Sequence, residues 1–270
     1  MAQYVDYETH DDIVVIRLNR PDRLNAMGTQ VLSEMAQAFV EFEQGNAVVA
    51  ILTGTGRAFS AGMDIKQNIE SGNVHMSPID IRPLVNPFYP GLAGFGLKDA
   101  EGVDIRRTLD KPVISAVNGV ACGGGMLLAL QADICIAAQT ASFEMSEVRL
   151  GLPIGWNVGY RLNLSHHATM EIALGGPMNA QRALQVGLVN EVVPDAQLLE
   201  SAMSWARRIA HMPTLAILAN RELVDKLIPK IPAAIAALAD DNVERISRSP
   251  ESQEAFMRFY EKNRSSSPED

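Results

Sequence analysis

Cysteine is scarce in this chain: Cys122 and Cys135 are the two in 270 residues. With no Cys-x-x-Cys pair and no Cys/His cluster, neither a disulfide framework nor a metal site is indicated, and a reducing compartment, the cytoplasm, is the simpler expectation. Basic side chains are also in deficit, since 23 Lys and Arg against 32 Asp and Glu leave a net charge of −9. Surfaces that collect phosphate backbones need clustered cations, so no nucleic-acid partner is expected. Net charge governs long-range steering, however, and a few cations can still hold one small anion locally. The opening MAQYVDYETHDD lacks a basic stretch followed by an apolar run, so no secretory signal is read there. One uncharged stretch, Pro112 to Ala132, has about the length of a membrane span. Pro112, Asn118, Gln131 and Gly123-Gly124-Gly125 interrupt it, which is the punctuation of a strand, a turn and a helix start. No membrane partner is expected.

What is present is the material of a folded core, with 47% hydrophobic and 20% charged residues. Ile13 to Asn19 and Ala47 to Gly54 are short, β-rich and bounded by polar residues or glycine, as strands are. Between them Val31, Leu32, Met35, Ala36, Phe39 and Val40 recur at three- and four-residue spacing, which predicts a helix over Thr29 to Gln44 with one buried stripe. The alternation continues with a strand at Val113 to Val117, a helix from about Gly125 to Gln131, a strand at Asp133 to Ala138, helices near 167–174 and after Asn179, and a strand at Val189 to Val193. This rhythm predicts an α/β core over residues 1–195. Residues 196–270 read as a helical unit, with segments near 195–211, 213–228 and 231–247 and a last helix entered through Ser249-Pro250. Residues 66–110 carry Pro78, Pro83, Pro87 and Pro90 and hold no period, the composition of a long covering segment.

Two stretches can carry chemistry. Arg57 to Lys66 follows a strand, and Ser60, Ala61 and Gly62 let a ligand approach the main chain closely. Asn118 to Met126 lies between a strand and a helix, where free N–H groups and the helix dipole favour a developing negative charge. Taken singly, the first reads as a tight connection and the second as close helix and strand packing. The glycine triplet matches neither the phosphate-loop nor the dinucleotide spacing.

Together, in order, these stretches resemble the crotonase superfamily, the enoyl-CoA hydratase/isomerase family. The resemblance runs through Leu18-Asn19-Arg20-Pro21, Leu24-Asn25-Ala26-Met27, Ala58 to Lys66, Lys111 to Gly119, the glycine triplet, Ala132-Asp133 and Gly187-Leu188-Val189. It implies a spiral of β-β-α units followed by helices that assemble a trimer, commonly doubled to a hexamer. It implies further that the main-chain N–H groups of Met63 and Gly124 form an oxyanion hole for a thioester oxygen. Donors fixed in advance are what an enolate needs, because its charge develops on that oxygen. Coenzyme A, carried as part of an acyl-CoA substrate with no other cofactor required, would lie along Arg23, Leu24 and Ala26, with its adenine near Ala61, Asp64 and Ile65. Phe259 and Lys262 match the end-helix pair that closes over the adenine and phosphate, often from a neighbouring subunit; a solvated surface charge is the other reading of Lys262.

Glu147 aligns with the family's acid/base glutamate, and burial in a dry pocket would raise its pKa towards neutrality. Glu144, three residues earlier, reads as a structural or solvated charge. The second glutamate of hydratases is replaced by Leu127, and their Gly-Gly pair after the base by Trp156-Asn157. Adding water is easiest with two carboxylates, whereas moving a proton between two carbons needs one. The pattern therefore resembles the one-glutamate Δ3,Δ2-enoyl-CoA isomerases, with hydration and acyl-CoA binding without turnover as the alternatives. Trp156 and Asn157 can shape the acyl pocket or simply pack. His75, with Glu70 and Asp80 in the irregular segment, is a candidate second acid or base.

Overall fold

The computed structural model describes residues 3–70, 109–227 and 231–264. Among the described residues, ten strands form two sheets. The larger has the order β1-β2-β3-β5-β7-β10, made of Val5–His10, Ile13–Leu18, Val49–Gly54, Val113–Val117, Ile134–Ala138 and Glu191–Val193. β1 runs antiparallel to β2, with Val5 opposite Leu18, and every later neighbour is parallel. The smaller sheet has the order β4-β6-β8-β9, made of Ala58–Ser60, Val120–Cys122, Ser142–Glu144 and Met178–Asn179. From β3 to β8 the chain alternates between the sheets, placing one strand in the large sheet and the next in the small one. This alternation is the spiral.

Burial follows from that arrangement. β3 and β5 are interior to the large sheet and buried along their whole length, as strands covered on both faces must be. α1 (Thr29–Gln44) closes one face with Val31, Met35, Ala36, Ala38, Phe39 and Phe42 buried. Leu32 and Val40, expected in this stripe, sit at its half-buried margins. Burying the Phe39 and Phe42 rings contributes roughly 1.5–3 kcal/mol each relative to exposure.

α2 (Ile65–Glu70) follows β4, and α3 (Gly124–Leu130) follows β6 with every residue buried. After β8 come a 3-10 turn at Ser146–Leu150, α4 (Val158–Arg161), α5 (His166–Ala173) and α6 (Ala180–Gln185). α7 (Leu198–Ala210) faces inward with Ala202 and Ala206, two small residues with no exposed surface. Then follow α8 (Thr214–Leu227), α9 (Ala233–Ser247) and α10 (Pro250–Arg264). Arg221 of α8 ties this helical end to the sheet through a 2.9 Å ion pair with Asp133, whose other oxygen accepts from Val113 N at 2.8 Å.

The two sheets are stitched where the chain crosses between them. Asn118, just after β5, accepts from Gly54 N at 3.1 Å and donates to Gly56 O and Ala58 O at 2.9 and 3.1 Å. A Cβ on Gly119 would fall 2.1 Å from Arg57 O, and one on Gly125 would fall 2.1 Å from Ser60 O. Glycine at both positions lets α3 press onto β4, which brings the ends of β4 and β6 together.

Candidate active site

Met63 is held from one side. Met27 N donates to Gly62 O at 2.7 Å, and Asp64 N donates to Met27 O at 3.2 Å, forming a parallel bridge between Met27 and Met63. In this pairing the flanking groups are used while the N–H of Met63 itself points away from Met27. It has no hydrogen-bond partner among the described residues. Gly62, at φ +89°, turns the chain against the other loop: a Cβ there would lie 2.7 Å from Cys122 O and 3.1 Å from Gly124 N. The neighbourhood of the Met63 amide and the start of α3 are therefore one place.

Gly123 makes the next turn, at φ +52° and ψ −120°, with its N–H donating to Glu144 O at 2.8 Å. A side chain at Gly123 would strike Glu147, since a Cβ would sit 2.1 Å from Oε1. The carboxylate of Glu147 thus rests directly on the loop that presents Gly124 N. It is carried by the 3-10 turn after β8, which Gly151 ends at φ +73° and which Leu152 N fastens by donating to Glu147 O at 3.0 Å. Ser252 of α10 braces the turn by donating to Gly151 O at 3.0 Å.

Electrostatics match a proton carrier. Burial pushes the Glu147 carboxyl up to about 7, and the nearby charge of Glu144 adds to the rise. The N–H groups of Glu147 and Gly124 act against it by favouring the ionised form. Oε2 is buried and has no hydrogen-bond partner among the described residues, so a proton or a substrate atom would meet an unused acceptor. Glu144 is committed elsewhere, in a 2.6 Å ion pair with Arg149.

The chain matches the family model described as enoyl-CoA hydratase/isomerase over residues 8–84 and 91–267. The chain belongs to this family. It is 37% identical over 204 residues to a probable enoyl-CoA hydratase of Mycobacterium bovis, covering 74% of this chain and 68% of that protein. A 1,2-epoxyphenylacetyl-CoA isomerase of Escherichia coli is 32% identical over 223 residues, 80% of each chain. The crystal structure of carnitinyl-CoA hydratase from Mycobacterium avium superposes with a TM-score of 0.75 at 31% identity, covering 97% of both chains. The spiral is the crotonase fold, and the protein is an enzyme of the lyase or isomerase type found in this family.

Within that fold the expected coenzyme-facing residues lie in two touching segments. Ala61 N donates to Leu24 O at 2.9 Å, and Ala26 N to Arg23 O at 3.0 Å. Arg23 is exposed, while Leu24, Ala26, Ala61 and Ile65 are half-buried. Asp64 is buried, with its carboxylate bound to Arg20 at 2.6 Å and to Gln67 N at 3.0 Å, so its main chain alone is left to meet a ligand. Phe259 is 40% exposed on α10, and the side chain of Lys262 lies outside the described residues.

Leu127 is buried on α3. Asn157 is buried, and Trp156 is half-buried with its indole N–H unpartnered among the described residues. His75, Asp80 and the Glu70 side chain lie outside the described residues. Two residues that sequence reasoning did not single out shape the site. Asn25, at φ +54° and fully buried, donates to Thr55 O and Ala58 O; Arg20 grips Asp64. Both stood inside the motifs that carried the resemblance, but their partners are distant in sequence. No group of three or more potential ligands is placed to hold a metal ion among the described residues, and no helix there is long and apolar enough to cross a membrane.

Proposed function

We propose that this chain acts on an acyl-CoA thioester, holding the enolate oxygen between the N–H groups of Met63 and Gly124 and moving the proton with Glu147, and that its reaction is double-bond isomerisation or related one-base chemistry. One observation carries the reading: the Glu147 carboxyl, protonated or ionised with equal ease near neutral pH, lies on the glycine turn that presents Gly124 N. Starting from a 3-enoyl thioester, ionised Glu147 removes a proton from C2. The electron pair spreads to the thioester oxygen, where two fixed N–H groups offset the charge; loss of one such donor typically costs about 2.7–4 kcal/mol. The same carboxyl, now protonated, returns the proton to C4 and leaves the double bond between C2 and C3. Nothing is consumed, and no metal or second cofactor is required.

Leu127 supports one-base chemistry, because a buried leucine stands where the family's hydratases carry their second glutamate. Hydration is the second reading, favoured by the 37% identity to a probable enoyl-CoA hydratase. Coenzyme A would lie along Arg23, Leu24 and Ala26, with the adenine against the main chain of Ala61, Asp64 and Ile65 and with Phe259 and Lys262 closing over it. Assembly with copies of itself fits the helical end: Leu215, Leu223, Val224 and Leu227 of α8, with Ile235 and Leu238 of α9, are 44–82% exposed, apolar side chains that a homotrimer or hexamer would bury. Two free thiols fit a cytoplasmic setting. The test supplies 3-enoyl-CoA and 2-enoyl-CoA separately and follows the products. Isomerisation that falls about 10²–10⁴-fold in Glu147→Gln is expected. Undiminished turnover in that variant refutes the role of Glu147, and coenzyme A thioester binding with no turnover by the unaltered protein establishes the binding-only alternative.

A further inference from the structure

Arg20 has no part in the chemistry proposed above, yet it is bound into the support of Met63. Its guanidinium is 2.6 Å from Asp64 Oδ2, with the two side chains only 16% and 5% exposed. The same nitrogen donates to Ala26 O at 3.3 Å, and the Arg20 main-chain N–H donates to Asn25 Oδ1 at 2.8 Å. Ala26 and Asp64 each precede or follow a residue of the Met27–Met63 bridge, so one guanidinium spans both strands of that bridge on the buried side. On the other flank, Ser60 Oγ donates to Asn25 O at 2.8 Å and accepts from Gly62 N at 3.2 Å. Gly62 and Asp64 are thereby fixed from independent directions, and Met63 between them is left one orientation.

We infer that Arg20 is a positioning residue for the reaction: through its ion pair with Asp64 it holds the Met27–Met63 bridge in the register that aims the Met63 N–H at the thioester oxygen. This rests on the reading of Met63 as an oxyanion donor. A charge pair suits the task because its partners are buried and close, and misplacing a donor by about an ångström costs on the order of a hundredfold in rate. Arg20 acts through the main chain it holds, so its loss should appear mainly in kcat, with a smaller effect on KM because Ala26 and Asp64 also lie on the proposed coenzyme path.

The experiment uses the full-length protein with Arg20→Gln and Arg20→Lys. Amide hydrogen exchange is read at Met27 N and Asp64 N, which close the bridge, and kcat and KM are read on the acyl-CoA substrate. Arg20→Gln is expected to speed exchange at both amides and to lower kcat about 10–100-fold, with a rise in KM smaller than the fall in kcat. Arg20→Lys, which keeps the charge opposite Asp64, is expected to recover most of both. Unchanged exchange in Arg20→Gln overturns the inference. Faster exchange with unchanged kcat also overturns it, and places the fault in the reading of Met63 as a donor. If Arg20→Gln does not fold, Asp64→Asn, which leaves no lone buried carboxylate, is measured in the same two ways, and the same two results overturn the inference.

Discussion

Replacing Glu147 by Gln should stabilise the protein, and by an amount that depends on pH. In an unfolded chain this carboxyl titrates near 4.5, whereas burial in the fold moves it to about 7. The folded state therefore binds the proton more tightly, and the sign follows. Well below pH 4.5 both states are protonated and the group costs nothing. Between about 4.5 and 7 the unfolded chain loses its proton first, so the fold loses stability as pH rises, and above 7 the full cost is present. The shift corresponds to roughly 3 kcal/mol. Gln has nearly the same shape and no charge, so its advantage over Glu should grow from about 1 kcal/mol at pH 5 to about 3 kcal/mol at pH 8. A fixed offset is expected on top, since the amide brings an N–H₂ to a place where Oε2 has no partner among the described residues. The pH dependence of the difference is thus the quantity to read. Urea unfolding of both proteins at pH 5, 6, 7 and 8, at one protein concentration, measures it. A difference that stays flat or shrinks with rising pH would mean that the carboxyl is well solvated, and the proton-carrier argument would fail with it.

The same group should set the rate profile: kcat/KM on a 3-enoyl-CoA is expected to rise with pH and level off through about 7, since the resting base must be ionised to take the C2 proton; a profile flat from pH 5 to 8 would contradict this. Gly123→Ala places a methyl 2.1 Å from Glu147 Oε1 in a backbone conformation that side chains rarely adopt. It should cost about 1–3 kcal/mol of stability and most of the activity. Gly187→Ala is its control, because at φ +78° nothing lies within 4 Å of the added atom. That variant should lose only about 1 kcal/mol in thermal unfolding and keep full turnover. Light scattering should give three or six times the 29.3 kDa of one chain, and Leu223→Asp with Leu227→Asp should reduce that mass; a monomer in the unaltered protein would refute the assembly.

Sequence periodicity reveals elements in proportion to their length and to how one-sided their burial is. α1, β3 and β5 are long enough to repeat and were legible to within a residue or two. β1 carries little signal, because VDYETH lies at the edge of its sheet and Val5 alone of its six residues is buried, so no apolar run marks it. The whole small sheet was missed as well. Its strands are two or three residues long, too short for the two-residue alternation to repeat, and the segments holding β4 and β6 read as loops rich in glycine and small residues. Yet the candidate site is built at the ends of those strands. The positions of Met63, Gly124 and Glu147 could be matched to a family pattern, but their meeting depends on contacts that no local rule contains. Glu147 reaches Gly123 because β6 and β8 run side by side with Cys122 opposite Glu144. The turn after β8 then has to fold back over the turn after β6, and glycine at 123 leaves room for the carboxylate. A short parallel pairing, invisible in composition and periodicity, is what brings two ordinary loops and one acidic residue together at the place where we propose that an enolate is held and a proton moved.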